Sequence, residues 1–456
     1  MNLDHSCLKQ LVEGDAVAIR GRAILEPAGG PGDKIFPPTY AVDANNKKPG
    51  AKYAFEKRRL DGQDVTCVLI DSVQSQANRM EEALQALWDE KKIALPVVTV
   101  DFSDIAPEVG RVTSLTAPHR IADALLRDSQ LGKELFRLSE IGKSFTDAST
   151  RNATPLFKVC PTGLVFGLWD STGPKGGLGA KFQRALASEI VGINAVPGSK
   201  TASRIDPLNI LKKVADIYEA DGDERWTTDA ELARKDDQGN PIRFGKEGKP
   251  SEVNHGNVTP SIDDIAGGVT IDEARHTVVL SLAVLRRLGF AEGATEARTV
   301  LAALGLLAVL ASDSRGHDLR SRCLLVPRKG SALKLEAVMR DGTTEPLELD
   351  LTAAIELYNQ AVDALPSGLK FVKAAGKPSA EGESLEEGES LAEGESLAKG
   401  ESLAKGEPLA KGEPLAKGEP LAKGEPLAEL SPSPKLADLV KKSRELAAAG
   451  ADAGDE

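Results

Sequence analysis

The sequence predicts an α+β protein in which helices pack on a mostly antiparallel sheet. Short β-branched apolar runs such as VTCVLI at 65–70 have the composition of buried strands. Segments with apolar residues at helical spacing alternate with these runs, as in QSQANRMEEALQALW at 74–88. At 334–350, two strand-like runs flank RDGTTE, which is typical of a hairpin.

The first half of the chain contains five predicted elements. The strand at 65–70 leads into a helix that Asp71 or Ser72 can cap, with its apolar residues on one face. VVTVDF at 97–102 predicts a second strand, and LTAPHRIADALLRDS after it predicts a helix capped by Thr116. LFKVCPTGLVFGLW at 156–169 predicts a hairpin about its Pro-Thr-Gly turn.

The second half is predicted to be mainly helical until its closing strands. Apolar spacing predicts helices at 180–193, 277–288 and 294–311, the last apolar nearly all round and therefore buried. RCLLVP at 322–327 and the hairpin at 334–350 are predicted to be the last strands of a folded body that extends from residue 1 to 373. Within that body, 219–262 is polar, glycine-rich and without periodicity, which indicates an insertion that is either disordered or functional, such as an extended arm that reaches a partner.

A six-residue repeat dominates the C-terminal region. From Gly382 to Glu429 the unit GE(S/P)LA(K/E), first as GESLEE, occurs eight times. One leucine per unit cannot build a core, and the prolines of the later units break helices, so 374–433 is predicted to be a disordered linker. The stretch 434–456 is predicted to hold a short amphipathic helix, which either docks on a partner subunit or frays in solution.

Charge and cysteine content limit the class of protein. The net charge is −12, but most of the acidic excess lies after residue 373, so a nearly neutral body can still hold a basic groove. The N-terminus does not resemble a signal peptide, and no run of about 18 apolar residues predicts a membrane span. The four cysteines are far apart, which predicts free thiols in a reducing cytoplasm.

A glycine-rich loop between 169 and 193 is the most conspicuous local motif. The sequence WDSTGPKGGLGAKFQRALASEIVGI places Lys175, Lys181 and Arg184 near four glycines and leads into a predicted helix. Backbone N–H groups of such a loop can bind phosphates. The spacing matches neither a P-loop nor a dinucleotide fingerprint. A phosphodiester-binding loop and a tight turn with positive φ at its glycines both remain open.

No catalytic set, metal site or cofactor motif is evident. The five histidines are not at ligand spacing, and no GxSxG motif occurs. Asp147 is a candidate for a divalent ion beside RNA, although a lone aspartate is more often a cap or turn residue. The loop SEVNHGNVTPS and the basic stretch SRGHDLRSR offer hydrogen-bonding and cationic groups, while the few Trp and Tyr residues give no stacking platform.

Several segments together resemble one protein family. They are DSVQSQANRMEEAL, SLTAPHRIADALLRDS, FGLWDSTGPKGGLGAKFQRALASEIVGI, SEVNHGNVTPS and VVLSLAVLRRLGF, in matching order between about Leu25 and Leu365. They are similar to the CRISPR-associated RAMP backbone subunit of type I-G (formerly I-U) systems. The resemblance implies an RRM-like (ferredoxin-like) palm with inserted finger and thumb elements. It also implies copies stacked head to tail on the CRISPR RNA, with a target DNA strand and other CRISPR-associated subunits as partners.

We therefore predict a non-catalytic guide-RNA-binding subunit without cofactors. The alternatives are a metal-dependent ribonuclease that uses Asp147 or Asp170 and, with less support, a nucleotide-binding enzyme that uses the glycine loop. The residues predicted to contact RNA are Gln74, Asn78, Arg79, His119, Arg120, Lys175, Gly176, Gly177, Lys181, Arg184, Asn254, His255, Asn257, Arg315 and Arg320.

Overall fold

The computed structural model describes residues 1–41, 52–171, 179–211, 213–221, 224–373 and 419–448. The helices are α1 (His5–Glu13), α2 (Val73–Asp89), α3 (Ala124–Arg127), α4 (Glu140–Thr146), α5 (Thr154–Val159), α6 (Pro161–Phe166), α7 (Leu282–Arg286), α8 (Ala294–Ser314), α9 (Leu351–Asp363) and α10 (Pro434–Ala448). Single 3-10 turns lie at Arg120–Ala122, Phe136–Leu138, Pro250–Val253 and Ser367–Leu369.

The strands are β1 (Ala16–Pro27), β2 (Phe55–Leu60), β3 (Gln63–Asp71), β4 (Val98–Asp101), β5 (Arg111–Thr113), β6 (Ser129–Leu131), β7 (Glu134–Leu135), β8 (Leu168–Trp169), β9 (Lys181–Phe182), β10 (Leu186–Ile193), β11 (Val196–Pro197), β12 (Lys200–Arg204), β13 (Tyr218–Glu219), β14 (Trp226–Thr227), β15 (Val258–Asp263), β16 (Val269–Thr270), β17 (Glu273–Ser281), β18 (His317–Asp318), β19 (Leu324–Pro327), β20 (Lys334–Met339), β21 (Thr344–Leu347) and β22 (Ala428–Pro432).

A nine-stranded antiparallel sheet is the centre of the fold. Its main path runs β18-β19-β1-β17-β10-β3-β2, and the β20–β21 hairpin also pairs with β1. Because β17 occupies one edge of β1, both β19 and β20 share the other edge, β20 along the first half of β1 and β19 along its end. This arrangement confirms the predicted α+β class and its mostly antiparallel sheet.

The central strands alternate buried and exposed side chains. In β1, Ile19, Ala23 and Leu25 are buried, whereas Arg20 and Arg22 point to the other face. The strand β17 follows the same alternation. One face of the sheet is therefore apolar, and the opposite face carries polar and charged groups.

Helices α2, α8 and α9 form the layer that covers the apolar face. The α2 helix begins after Ser72, whose Oγ accepts the N–H of Ser75 at 3.2 Å, as the sequence predicts. The α8 helix contacts both α2 and α9 and is buried along most of its length. It is long and apolar enough to cross a membrane, but its apolar stretch is mostly buried inside the protein, as expected of a core helix.

A second sheet, β5-β4-β22-β6-β7, incorporates the end of the repeat region. β22 runs parallel to β4 and antiparallel to β6, and Leu427 and Leu430 are buried there. The final repeat unit is therefore folded and not part of a disordered linker as predicted, because Leu427 and the following Leu430 pack against an apolar surface. The rest of the predicted linker, 374–418, lies outside the described residues.

The last helix, α10, packs on its own chain. Leu436 and Val440 lie against the main core, and Arg444 forms an ion pair with Glu108. The sequence predicted that this helix either docks on a partner subunit or frays in solution. In the structure the helix docks on its own body instead.

Two predictions around the glycine loop are wrong. The stretch 156–169 is not a hairpin but the short helices α5 and α6, because Pro161 stands in the first turn of α6, where proline is favoured. The stretch 180–193 is not a helix; its second half is strand β10, which lies between β17 and β3 and whose last four residues are all buried. An apolar run of this length is compatible with either state.

Two further helix predictions are wrong in part. The stretch 277–288 continues β17 as far as Ser281, whose Oγ then caps the short helix α7. The helix predicted after Thr116 is reduced to a 3-10 turn and α3, and Asp123 rather than Thr116 caps α3. The strands at 65–70, 97–102, 322–327 and 334–350 and the helix at 294–311 are confirmed by β3, β4, β19, β20, β21 and α8.

The polar insertion contains little regular structure. Between 219 and 262 it holds β14, one 3-10 turn and most of β15, which pairs with β12 to form a two-stranded ribbon. Large apolar side chains next to and within the ribbon are exposed: Ile205 (85%), Leu208 (73%), Leu211 (72%) and Ile262 (72%). This concentration of exposed apolar surface distinguishes the ribbon region from the body.

Candidate nucleic-acid interface

The sheet face opposite the helices holds a groove of about 780 Å³. Its lining comes from β1, β2, β10, β17, β20 and β21 and from the loop at 330–332. The groove therefore combines strands that lie far apart in the chain.

One row of side chains crosses the groove in register. Arg22 of β1 pairs with Lys334 of β20 on one side and with Thr277 of β17 on the other. Thr277 pairs in turn with Glu189 of β10. From β2, Arg58 donates two hydrogen bonds to Glu189, at 2.6 and 3.1 Å.

The row contains two basic side chains that differ from their neighbours. Arg22 and Lys334 are exposed and make no ion pair with any residue that the structure describes. The neighbouring arginines form ion pairs with glutamates, and the hydrogen bonds that Arg58 donates to Glu189 raise the pKa of Arg58. These pairs are Arg20–Glu336, Arg58–Glu189 and Arg275–Glu273. Arg22 and Lys334 are therefore the groove cations that an anion meets without displacing a carboxylate.

The groove has no aromatic platform. None of the described residues that line it is Phe, Tyr or Trp. Unstacked bases are usually held on aromatic rings, so this surface suits contacts with a sugar-phosphate backbone rather than base stacking.

The glycine-rich loop is only partly described. Lys175, Gly176 and Gly177 lie outside the described residues. Lys181, in β9, is exposed and lies over the Trp169 ring at 5.0 Å. Arg184 is half-buried and donates to the Phe166 carbonyl at 2.9 Å, and burial lowers its pKa.

Arg120 and His119 differ in their availability to a ligand. The Arg120 guanidinium makes two hydrogen bonds to buried Glu81, at 2.6 and 2.8 Å, and a third to the Gly167 carbonyl. Burial raises the pKa of Glu81 to about 7, although Arg120 opposes the shift. His119 is exposed. Arg120 thus has an internal partner, and the RNA contacts predicted for both residues stay predictions.

The predicted residues on α2 and near α8 come together around Asp71. This fully buried carboxylate accepts hydrogen bonds from Arg79 and from Arg320, each at 3.0 Å. Three further predicted residues share this side of the molecule. They are Gln74 and Asn78, which are exposed on α2, and Arg315, which donates to the Glu82 carbonyl.

The predicted residues of the insertion form a separate group. Asn254 has a left-handed backbone with φ +61°, and Asn257 accepts the backbone N–H of Asp206 at 2.6 Å. The His255 ring packs edge-on against Trp226. The structure thus places the predicted residues in several groups rather than in one site.

The groove residues Arg22, Arg58, Arg275 and Lys334 were missed by sequence reasoning. A signal was present in the alternation of IRGRAIL at 19–25 and EARHTVVL at 273–280. That period of two predicts strands with arginines on one face. The second stretch was instead assigned in part to a helix.

Comparison with known proteins gives one informative match. Residues 19–197, which extend from β1 to β11, match the family model described as CRISPR-associated protein GSU0053. No curated protein matches the sequence. Similar solved structures include a chain of a "CRISPR RNA-guided surveillance complex, pre-nicking", with 14% identity and a TM-score of 0.23 over 70% of this chain and 78% of that chain. A TM-score of that size establishes no shared fold. The family match, although it covers less than half of the 456 residues, supports a CRISPR-associated protein.

Proposed function

We propose that this chain is a non-catalytic guide-RNA-binding subunit of a CRISPR surveillance complex, present in several head-to-tail copies along the RNA. The observation that carries the proposal is the family match at 19–197. That region contains β1, β2 and β10, which are three of the six strands that line the groove, and it includes the glycine-rich loop.

The strand order supports an RRM-like palm. The strands β20-β1-β17-β10 are adjacent and antiparallel, with α2 between β1 and β10 in the chain and α8 between β17 and β20. The β-α-β-β-α-β succession of a ferredoxin-like fold has the same order. In this interpretation the β2–β3 hairpin is an insertion between β1 and α2, and the β12–β15 ribbon is a finger or thumb.

The charge distribution favours contacts with the RNA backbone. Arg22 and Lys334 face each other across β1 and β20, and neither forms an ion pair with any residue that the structure describes. Sequence is then read by base pairing of the guide with a target DNA strand, while the protein binds phosphates. The groove requires no sequence-specific contacts for this role.

Association of copies is supported by the exposed ribbon. Ile205, Leu208 and Ile262, which lie in or next to the ribbon, are each more than 70% exposed. A soluble monomer rarely presents such a cluster without a partner. In the proposed filament, the neighbouring copy covers this surface.

The binding test uses Arg22→Gln, Lys334→Gln and the double variant, with Lys441→Gln on α10 as a charge-matched control. Each groove variant is expected to weaken RNA binding equally for unrelated guide sequences. The log–log salt slope should fall by about 0.7 for each phosphate of a single strand that the variant no longer neutralises. Fluorescence anisotropy over a salt series measures both quantities. An unchanged slope in the double variant would remove the groove from the RNA site.

The assembly test is co-expression with a repeat–spacer transcript and the neighbouring subunits. Size exclusion with light scattering is expected to give a large multi-copy particle that contains a short RNA. A nucleic-acid-free monomer in the presence of the transcript would contradict the proposal.

Lack of catalysis is part of the proposal. Of the two carboxylates considered for a ribonuclease, Asp170 is buried against Arg137, whereas Asp147 lies at the surface at the end of α4. Magnesium-dependent cleavage of bound RNA at regular spacing, abolished by Asp147→Ala, would establish the ribonuclease instead.

A further inference from the structure

Two histidines and an aspartate from distant parts of the chain meet beneath the sheet. His276 belongs to β17, Asp313 to the last turn of α8 and His317 to β18. One ligand atom from each lies within 4.8 Å of the other two. The two rings are edge-to-face with centroids 5.4 Å apart.

Both rings are buried and each has a nitrogen without a hydrogen-bond partner. His276 is 4% exposed and His317 is 6% exposed. Nδ1 of His276 and Nε2 of His317 make no hydrogen bond to any described atom, although the latter lies 3.2 Å from Oδ1 of Asp313. Buried polar atoms are almost always paired, so two such nitrogens beside one carboxylate need a common partner.

A chain of hydrogen bonds determines which nitrogen of His276 carries the proton. The side-chain N–H of Gln76 donates to Asp71 Oδ2 at 2.7 Å. The amide oxygen of Gln76 therefore accepts the hydrogen bond from the Ser188 hydroxyl at 2.8 Å. Because that hydroxyl has one proton, its oxygen must accept from Nε2 of His276, at 2.9 Å. Nδ1 of His276 therefore carries a lone pair and is available to a ligand.

Metal-binding histidines have this arrangement. A ligand imidazole usually donates its other N–H to a fixed acceptor, which orients the ring and selects the tautomer. Two imidazoles and a carboxylate form a donor set that suits zinc and related first-row divalent ions. At ligand distances of about 2.0–2.1 Å, a tetrahedral ion separates its donors by about 3.3 Å. Rotations of the side chains that close the cluster by roughly an ångström are therefore sufficient.

We propose that His276, His317 and Asp313 bind one divalent transition-metal ion, with zinc as the best fit. The ion joins β17 of the sheet to the end of α8 and to β18, so its role is structural. The fourth coordination position is left for water. The His276 side chain lies on the buried face of β17, and the test of this site requires no RNA.

The test measures metal content of the full chain purified without chelator or affinity metal. We expect about one zinc per chain by mass spectrometry, and loss of that zinc in His276→Gln, His317→Gln and Asp313→Asn. His119→Gln, at an exposed histidine, is the matched control and should keep its zinc. Chelation should lower Tm, and added zinc should restore it in the wild type and the control only.

A second measurement covers variants that fail to fold. Cobalt added to the chelated wild-type chain should give the visible absorption of a tetrahedral site at one equivalent, and zinc should remove that absorption. Substoichiometric zinc, together with no cobalt spectrum and no change in Tm on adding zinc, would overturn the proposal. Retention of one zinc by all three variants would also overturn it.

Discussion

Replacing Leu430 with alanine tests whether the C-terminal segment belongs to the folded body. Leu430 is 3% exposed in β22, where it pairs with Val100 of β4. Truncating a buried leucine removes the transfer free energy of the deleted methyl groups and leaves a cavity, at a total of about 2–5 kcal/mol. We expect a destabilisation within that range, because β4 and β6 hold the backbone of β22 on both sides and limit collapse of the cavity.

The matched control is Leu439→Ala, in the same segment but 65% exposed on α10. It should change the free energy of unfolding by less than about 0.5 kcal/mol. Urea unfolding followed by tryptophan fluorescence measures both variants, and Trp88, which is buried in α2, reports on the body. Equal unfolding midpoints for Leu430→Ala and the wild type would mean that the segment is not docked.

Two other predictions concern the helix layer and the sheet. Burial raises the pKa of Glu81 from 4.5 to about 7, so between these pH values the folded state holds a proton that the unfolded state releases, and the free energy of unfolding should fall as pH rises from about 4.5 to about 7. In urea unfolding at pH 5 and pH 7, Glu81→Gln should show a smaller fall than the wild type. An identical pH dependence in both proteins would contradict the assignment. A Cβ at Gly192 would lie 2.7 Å from Ile271 Cγ2 and 2.9 Å from Val68 Cγ1, which is too close for an unstrained contact. Gly192→Ala should therefore lower the free energy of unfolding by about 1–3 kcal/mol. An unchanged Tm in this variant would contradict the packing.

Hydrophobic periodicity succeeded for helix α2 and failed for strand β10. α2 carries a clear apolar stripe and was predicted together with its cap. The last four residues of β10, at 190–193, are all buried, so this part of its sequence contains no period that separates strand from helix. The strand β22 pairs with β4, which lies more than 300 residues earlier in the chain. Local sequence patterns cannot predict a pairing between such distant segments.

The same reason explains how much of the candidate sites could be predicted. The resemblance indicated the class of partner, and the local motifs indicated phosphate-binding chemistry around the glycine loop. The groove joins Arg22 to Lys334, and the metal cluster joins His276 to His317, only after the sheet has formed. Motif spacing along the chain cannot report residues that become neighbours by strand pairing.

The ends of the repeat region meet at one point of the structure. The N–H of Lys373 donates to the Glu419 carbonyl at 2.9 Å, and the N–H of Leu421 donates to the Phe371 carbonyl. Six of the eight repeat units therefore lie between two points of the chain that are hydrogen-bonded to each other. The closure entropy of a loop grows only with the logarithm of its length, so gain or loss of one six-residue unit changes stability by about 0.1 kcal/mol. Gain or loss of repeat units in such an array therefore has almost no effect on folding stability that selection could act on. The number of units is free to drift or to be selected for reach alone.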